Sequence, residues 1–425
     1  MKLHRPAVVL GGIRTPFARA GTNFAKETNL TLMTAALKGL TQKFQLTNEN
    51  RAIGDVALGA VINQSRDWNL AREAVMACGL PMNTPAMGIM RACGTGLEAA
   101  IAIGNKIALG QIDSGIAGGV DSMSDVPVFY QPKFAQRILK LAKAKGMLDQ
   151  IKAFSGFSLK ELKPGYPAVT ESKTGLSMGQ SCELMAQEWK ISREEQDDLA
   201  YHSHQNSVKA YERGFHKDLM ITHAGLDKDN NVRADTSREK LAKLKPAFER
   251  SAKGTLTAGN SSPLTDGASC ALLSSEEWAK KQGLEIHARL VDAEVSAVDF
   301  TKEGLLMAPA YAVARLLARN DLKLQDFDFY EIHEAFAAQV LCTLKAWESE
   351  TFCRERLNLR GALGSIDRKK INVVGGSVAL GHPFGATGAR ILATAAKILK
   401  ENGKGRVLIS ICTGGGMGVT AILER

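Results

Sequence analysis

The sequence predicts an α/β protein made of two similar halves. Short apolar runs that read as strands alternate with longer runs of helical spacing, the pattern of a parallel sheet covered on both faces. One unit also occurs twice. Gly94-Thr95-Gly96, a helix, Gly110 and a strand over 115–120 are echoed by Ala386-Thr387-Gly388, a helix, Gly403 and a strand over 406–411. Gly96 and Gly110 bracket the first helix at nearly the interval by which Gly388 and Gly403 bracket the second. Finally, 425 residues exceed the size at which one core stops growing, so two or three domains are expected.

In order, residues 1–12 hold a short basic start and a brief apolar run before Arg14, too short for a signal-peptide core. They read as a first strand over 7–10, followed by the loop Gly11-Gly12-Ile13-Arg14-Thr15-Pro16-Phe17. Helical spacing runs over 30–44, a strand over 56–62, and a helix over 71–78 that Gly79 and Pro81 end. Residues 87–92 are extended and apolar, Gly94 and Gly96 allow a tight turn, and 97–109 is helical. Cys93 therefore sits at the mouth of a helix, where the dipole and free N–H groups favour thiolate over thiol. The plainer alternative is a small buried hydrophobe. The strand over 115–120 then enters Asp121-Ser122-Met123-Ser124.

Composition shifts after this point. Residues 127–163 hold eight Lys or Arg against two acids, and Phe134, Ile138, Leu141, Met147, Leu148, Ile151 and Phe154 are spaced for one or two amphipathic helices. The stretch is either a membrane-surface or partner-docking element, or a solvated lysine face over a helix packed on its own domain. Ser192 with Glu195 is a capping box. His202 and His204 follow on that helix, two apart, so they point to different sides; a surface helix is expected there and no metal site. Residues 213–253 are polar and turn-rich, and 254–262 leads through a turn into a strand over 268–273.

The second half repeats the logic. Residues 375–388 form a glycine-rich loop containing Gly381-His382-Pro383 that feeds an apolar helix over 389–399. Cys412 closes the strand over 406–411 and is followed by Thr413-Gly414-Gly415-Gly416-Met417-Gly418. That run has no P-loop lysine and no following helix, so it is a poor phosphate cradle. Two cysteines and a histidine thus each sit at a strand–loop junction bordered by glycine.

Seven cysteines, none in Cys-x-x-Cys spacing, suit a reducing compartment and free thiols. No apolar segment approaches the roughly 20 residues that span a bilayer, so a soluble, cytoplasmic protein is expected, with membrane-peripheral contact through 127–163 left open. The net charge of +10 fits nucleic acid, anionic lipid, a polyanionic small molecule or plain solubility. No nucleic-acid motif accompanies it, and that role ranks last.

The motif around Cys93, Gly381-His382-Pro383 and Cys412-Thr413-Gly414-Gly415-Gly416 resemble the thiolase family in order and spacing over essentially the whole chain. Ile332-His333-Glu334-Ala335-Phe336-Ala337 stands at the family's Asn-Glu-Ala-Phe block, with His333 replacing asparagine. The Gly11-to-Phe17 loop looks like its N-terminal signature. The resemblance implies a duplicated α/β/α/β/α layering, with 1–124 and 252–282 as the N-terminal half, 283–425 as the C-terminal half and 125–251 as an inserted loop domain over coenzyme A. It implies an acyltransferase with coenzyme A as co-substrate and no permanently bound cofactor or metal. Cys93 would be the nucleophile, His382 its base and Cys412 the second acid and base. His333 with His382 would hold the enolate oxygen, and the N–H groups of Cys93 and Gly414 the tetrahedral oxyanion. Ser262 would contact the pantetheine, and Met178 would line the acyl pocket, where an adaptable apolar side chain is suited. The His-Glu-Ala-Phe variant and the basic stretch resemble the thiolase subunits of fatty-acid β-oxidation complexes. They imply degradation of 3-ketoacyl-CoA, a homodimer or higher oligomer, and a hydratase/dehydrogenase α subunit as a candidate partner. The alternatives are a biosynthetic acetoacetyl-CoA thiolase and a silent lipid-binding homologue.

Overall fold

The computed structural model describes residues 5–47, 51–167 and 170–425; the basic start at residues 1–4 lies outside them. The strands are β1 (Ala7–Arg14), β2 (Ala18–Arg19), β3 (Asp55–Gly59), β4 (Ala86–Gly88), β5 (Ser114–Asp121), β6 (Thr265–Ser275), β7 (Ala288–Ala297), β8 (Phe329–Ile332), β9 (Arg406–Thr413) and β10 (Met417–Glu424). They run in the spatial order β4-β3-β5-β6-β1-β7-β10-β9-β8, with β2 on β6. The helices used below are α1 (Asn29–Phe44), α2 (Leu70–Ala77), α3 (Thr95–Ala108), α4 (Pro132–Ala142), α5 (Met147–Ala153), α6 (Met178–Glu188), α7 (Arg193–Glu212), α8 (Ala308–Arg319), α9 (Ala337–Glu348), α10 (Ser377–Leu380) and α11 (Phe384–Asn402).

The duplication is visible in the strand pairing. In the first half β3 is parallel to β5, which is antiparallel to β6, which is antiparallel to β1. In the second half β8, β9, β10 and β7 repeat those relations in the same order. The halves meet where β1 pairs antiparallel with β7 over only three residue pairs. The sheet is therefore mixed, and the expectation of an all-parallel sheet is corrected. The reason is local: β9 returns directly as β10 through Gly414, Gly415 and Gly416, and a tight turn can only join antiparallel strands. Gly415 and Gly416 have φ of 77° and 70°, where a side chain would be strained.

Strand residues alternate between two packing layers. Val8 and Leu10 of β1 pack outward with Leu32, Leu37 and Leu40 of α1 and Val75 of α2, whereas Val9 turns inward. Leu408 and Ile422 of the second half pack outward with Leu316 of α8 and Leu341 of α9. The inward layer joins Leu97, Ala100 and Ile103 of α3, Ile391, Leu392 and Leu399 of α11, and Val407, Ile409 and Val419 from the second sheet half. Five layers result, with α3 and α11 between the sheet halves.

The segment 122–264 between β5 and β6 carries α4 to α7. Ser192 caps α7 with Glu195 as the sequence predicts. The surface-helix expectation is corrected in part: His202 is exposed, but His204 is buried and accepts an N–H from Arg233, on a face shared with Gln196, Asp197 and Ser203. Arg14 fastens this segment to the first half through a buried bidentate pair with Asp229, at 2.6 and 2.7 Å. The hairpin of α4 and α5 is different. Arg137 donates to the carbonyl oxygens of Ala153, Ser155 and Gly156 and pairs with Glu161, but of both helices only Ala153 is buried.

Candidate active site

Each half contributes a turn that precedes one of the central helices. After β4 the chain tightens so that Gly94 donates to the Arg91 carbonyl at 2.9 Å and the Thr95 hydroxyl donates to that of Ala92 at 2.7 Å. Ala92 pays for this turn with φ 41°, in the left-handed region that residues with a Cβ rarely adopt. Cys93 stands at its apex, just ahead of the N-terminus of α3. All seven cysteines are free thiols; six are buried and Cys93 is half-buried, its sulfur enclosed by the turn while part of the residue stays open.

In the second half His333 follows β8, its N–H donating to Ser410 on β9 at 2.8 Å. His382 lies between α10 and α11, and its N–H donates to the Thr265 hydroxyl at 2.7 Å. Cys412 closes β9. What brings the two turns together is a helix crossing without side chains. A Cβ on Gly388 would stand 2.2 Å from the Leu97 nitrogen, and one on Gly96 2.5 Å from the Ala389 nitrogen. The first turns of α3 and α11 therefore touch backbone to backbone. As a result the Cys93 sulfur and one ring nitrogen each of His333 and His382 lie within 4.8 Å of one another, and the two rings are 4.2 Å apart. Among the described residues, these are also the donors best placed to share a cation.

The electrostatics correct one expectation. Burial pushes the Cys93 thiol up to about 11, although the N–H groups of Gly414 and of Cys93 itself pull the other way, and the Asp121 carboxylate adds to the rise. The helix terminus does not outweigh desolvation, so the resting group is a thiol. Burial, with Arg390 nearby, lowers His382 to about 3, and burial, His382 and Arg390 hold His333 well below its ordinary value. Both imidazoles are neutral. Burial, and then the neighbouring Cys93, raises the Cys412 thiol well above its ordinary value. The site at rest is uncharged, and a proton can move from sulfur to a neutral imidazole once a substrate arrives.

Several residues that sequence reasoning did not single out hold this arrangement. The Asp121 carboxylate accepts from Ile62 and Gly385 at 2.7 Å each, tying the loop after β3 to the N-terminus of α11. Glu334 accepts from the Ser203 hydroxyl at 2.7 Å, the Asn372 amide at 2.6 Å and the Val378 N–H at 3.1 Å. Ser377 lies 3.0 Å from His333 Nδ1 and Thr387 2.6 Å from His382 Nδ1. A sequence signal existed for Asp121, which ends a buried strand, and for Arg390, which donates to Ser377 at 2.8 Å and interrupts an apolar helix. A polar residue in such a place needs a partner.

Cys93, His333 and His382 thus lie together, Cys412 is near enough to Cys93 for the two thiols to interact, and the Gly414 N–H favours the Cys93 thiolate. Met178 opens α6 half-buried, and a Cβ on Gly414 would lie 3.6 Å from its sulfur. Ser262 is half-buried, its N–H donating to Ala335 at 3.0 Å, beside the His333 block. From the inserted segment, Glu171 accepts the Gly415 N–H at 2.8 Å.

Comparison with known proteins shows the family. Residues 7–277 match the thiolase N-terminal domain and 284–425 the thiolase C-terminal domain. The chain is 41% identical over 422 residues to a protein of Vibrio cholerae named 3-ketoacyl-CoA thiolase, covering 98% of this chain and 96% of the relative. A 3-ketoacyl-CoA thiolase of Photobacterium profundum is similar to the same degree and extent. Among solved structures, the acetyl-CoA acetyltransferase of Bacillus anthracis matches with TM-score 0.81 at 31% identity over 100% of both chains. The Acat5 thiolase of Ascaris suum in complex with coenzyme A matches with TM-score 0.79 at 26% identity, covering 99% of this chain and 100% of that one.

Proposed function

The chain belongs to the thiolase family, and from that premise we propose that it cleaves 3-ketoacyl-CoA with coenzyme A, giving acetyl-CoA and a shortened acyl-CoA through an acyl-Cys93 intermediate, in fatty-acid degradation. The observation that carries the reading is the meeting of Cys93, His382, His333 and Cys412 in one site.

In this reading His382 takes the Cys93 proton as sulfur attacks the 3-keto carbon, and the N–H groups of Cys93 and Gly414 receive the oxyanion. The tetrahedral adduct collapses by breaking the bond between the second and third carbons. That leaves acyl-Cys93 and the enolate of acetyl-CoA, whose oxygen meets His382 and His333. Cys412 protonates the enolate carbon and becomes a thiolate. It then takes the proton of an incoming coenzyme A thiol, whose sulfur attacks the acyl group, and the departing Cys93 sulfur regains its proton from His382. Two proton carriers are needed because two different sulfur nucleophiles act in turn. Segment 125–251 would cover coenzyme A, Ser262 would contact its pantetheine, and Met178 would line the acyl pocket.

Coenzyme A is the co-substrate, and a homodimer or larger oligomer is the expected assembly. The α4–α5 hairpin supports a docking role, because Leu139, Met147, Leu148 and Ile151 are exposed beside Lys140, Lys143, Lys145 and Lys152. It would meet either an anionic lipid surface or a hydratase/dehydrogenase partner subunit. No helix among the described residues is long and apolar enough to cross a membrane.

The test is loss of the magnesium-complexed absorbance of 3-ketohexadecanoyl-CoA on adding coenzyme A, with acetoacetyl-CoA for comparison. Cleavage of the long substrate by the wild type and not by Cys93→Ala is the expected result. Cleavage confined to acetoacetyl-CoA would assign the biosynthetic enzyme, and none of either by folded protein would leave the lipid-binding homologue.

A further inference from the structure

His333 and His382 are both buried and neutral, yet the proposed reaction asks opposite things of them. One must accept a proton and the other must offer a hydrogen bond. Their outer neighbours differ in a way that distinguishes them.

Ser377 Oγ lies 3.0 Å from His333 Nδ1 and receives a hydrogen bond from Arg390 Nη2 at 2.8 Å. Ser377 is fully enclosed, and His333 and Arg390 are nearly so. A guanidinium can only donate, and a serine hydroxyl has a single hydrogen. With Arg390 on one lone pair of Ser377, the acceptor left for that hydrogen is His333 Nδ1. The reverse arrangement, Nδ1–H donating to Ser377, would leave two buried groups unmatched, the hydroxyl hydrogen and the Nε2 lone pair, instead of the single Nε2–H. The His333 hydrogen therefore sits on Nε2, a buried atom with no partner among the described residues. The positive charge of Arg390 behind Ser377 also opposes protonation of the ring.

At His382 the pattern is inverted. The Thr387 hydroxyl reaches the Pro383 carbonyl at 3.3 Å, four residues back along the helix, and lies 2.6 Å from His382 Nδ1. A hydroxyl that donates to the carbonyl accepts from Nδ1–H, which leaves the His382 Nε2 lone pair free.

We propose that Ser377, held by Arg390, is a positioning residue that fixes His333 as the Nε2–H tautomer, so that His333 donates directly to the developing enolate oxygen while His382 remains the base. This rests on the thiolase reading given above, but its first test does not depend on activity. The chain has eight histidines. In protein labelled with ¹⁵N-histidine, the His333 signals are assigned by their loss in His333→Gln. Long-range ¹H–¹⁵N correlation at pH 7 is expected to show Nε2 protonated and Nδ1 bare. An Nδ1–H tautomer, or an imidazolium, would overturn the proposal even in a fully active enzyme. Conversely, the expected tautomer in a protein that cleaves no ketoacyl-CoA would sink the functional reading alone. In Ser377→Ala the His333 signals should become those of mixed tautomers. Its kcat should fall about tenfold to a hundredfold with KM within about twofold, since one oxyanion donor is weakened. Cys93 should react with iodoacetamide at its usual rate, and Ser377→Thr, which keeps the hydroxyl, should restore the single tautomer. A pure Nε2–H tautomer in Ser377→Ala would remove Ser377 from the role.

Discussion

The two halves share one topology and differ most at one equivalent connection. Between β5 and β6 the chain makes an excursion over 122–264 whose described residues carry five α-helices and a 3-10 turn, whereas between β9 and β10 it turns on Gly414, Gly415 and Gly416. Both connections bear on the same turn beside Cys93. The short one supplies the Gly414 N–H to Cys93, and the long one reaches back through Glu171 to hold the next N–H of that turn. A duplicated scaffold can therefore specialise by lengthening one loop and stripping its counterpart to glycine.

The comparison can be broken hardest at the short turn. Gly414→Pro removes the N–H that points at Cys93 and should lower kcat by about 10²–10³-fold, while Gly414→Ala, whose Cβ meets only ordinary contacts at 3.5 Å, should stay close to wild type. Equal loss in both variants would show that shape and not the N–H matters. Next in size is the crossing that aligns the halves. Gly388→Ala puts a methyl against the Leu97 nitrogen and should cost about 2–3 kcal/mol in denaturant unfolding; an unchanged midpoint would mean that the helices separate freely.

The thiol offers a third measurement. Because Cys93 titrates near 11, its thiolate fraction grows as the pH rises. Its alkylation rate in the free protein should climb about tenfold per unit between pH 7 and 10, and a plateau beginning below pH 8 would mean that the helix terminus wins after all. Loss of the link between the two connections comes next. Glu171→Gln, which keeps an acceptor oxygen but loses the charge, should raise KM for coenzyme A about threefold to tenfold, the scale of one ordinary hydrogen bond. The smallest effect is expected within the long excursion itself. Met147→Ser and Leu148→Ser, both exposed, should change stability by less than about 0.5 kcal/mol and leave kcat alone. A large loss in either would place the hairpin against the site.

Much of this was readable in the residues. Cys93 and His382 each adjoin a glycine, Cys412 lies two residues before Gly414, and His333 ends the run Phe329 to Ile332, while the repeat of glycine, helix and strand foretold equivalent halves. The direction of β6 and β10 was not readable from alternation alone, although the three-residue glycine turn was the clue for β10. The charge state of Cys93 was also missed. A local rule about helix termini lost to burial, and burial depends on residues from the whole chain. Arg14, Asp229, Ser377 and Arg390 form pairs whose members are far apart in sequence or separated by a loop, so neither partner announces the other. The amphipathic character of α4 and α5 was legible, but that their apolar side stays unpacked is a tertiary fact.

The shared middle layer has a consequence for how the protein is made. Leu97, Ala100 and Ile103 of α3 are covered in part by Ile391, Leu392 and Leu399 of α11, which leave the ribosome some three hundred residues later. Until then the first half carries a bare apolar stripe and cannot close, so neither half is an independent folding unit. Cys93 meets His382 only in the final docking step, and a nascent or truncated chain has a thiol but no partner for it.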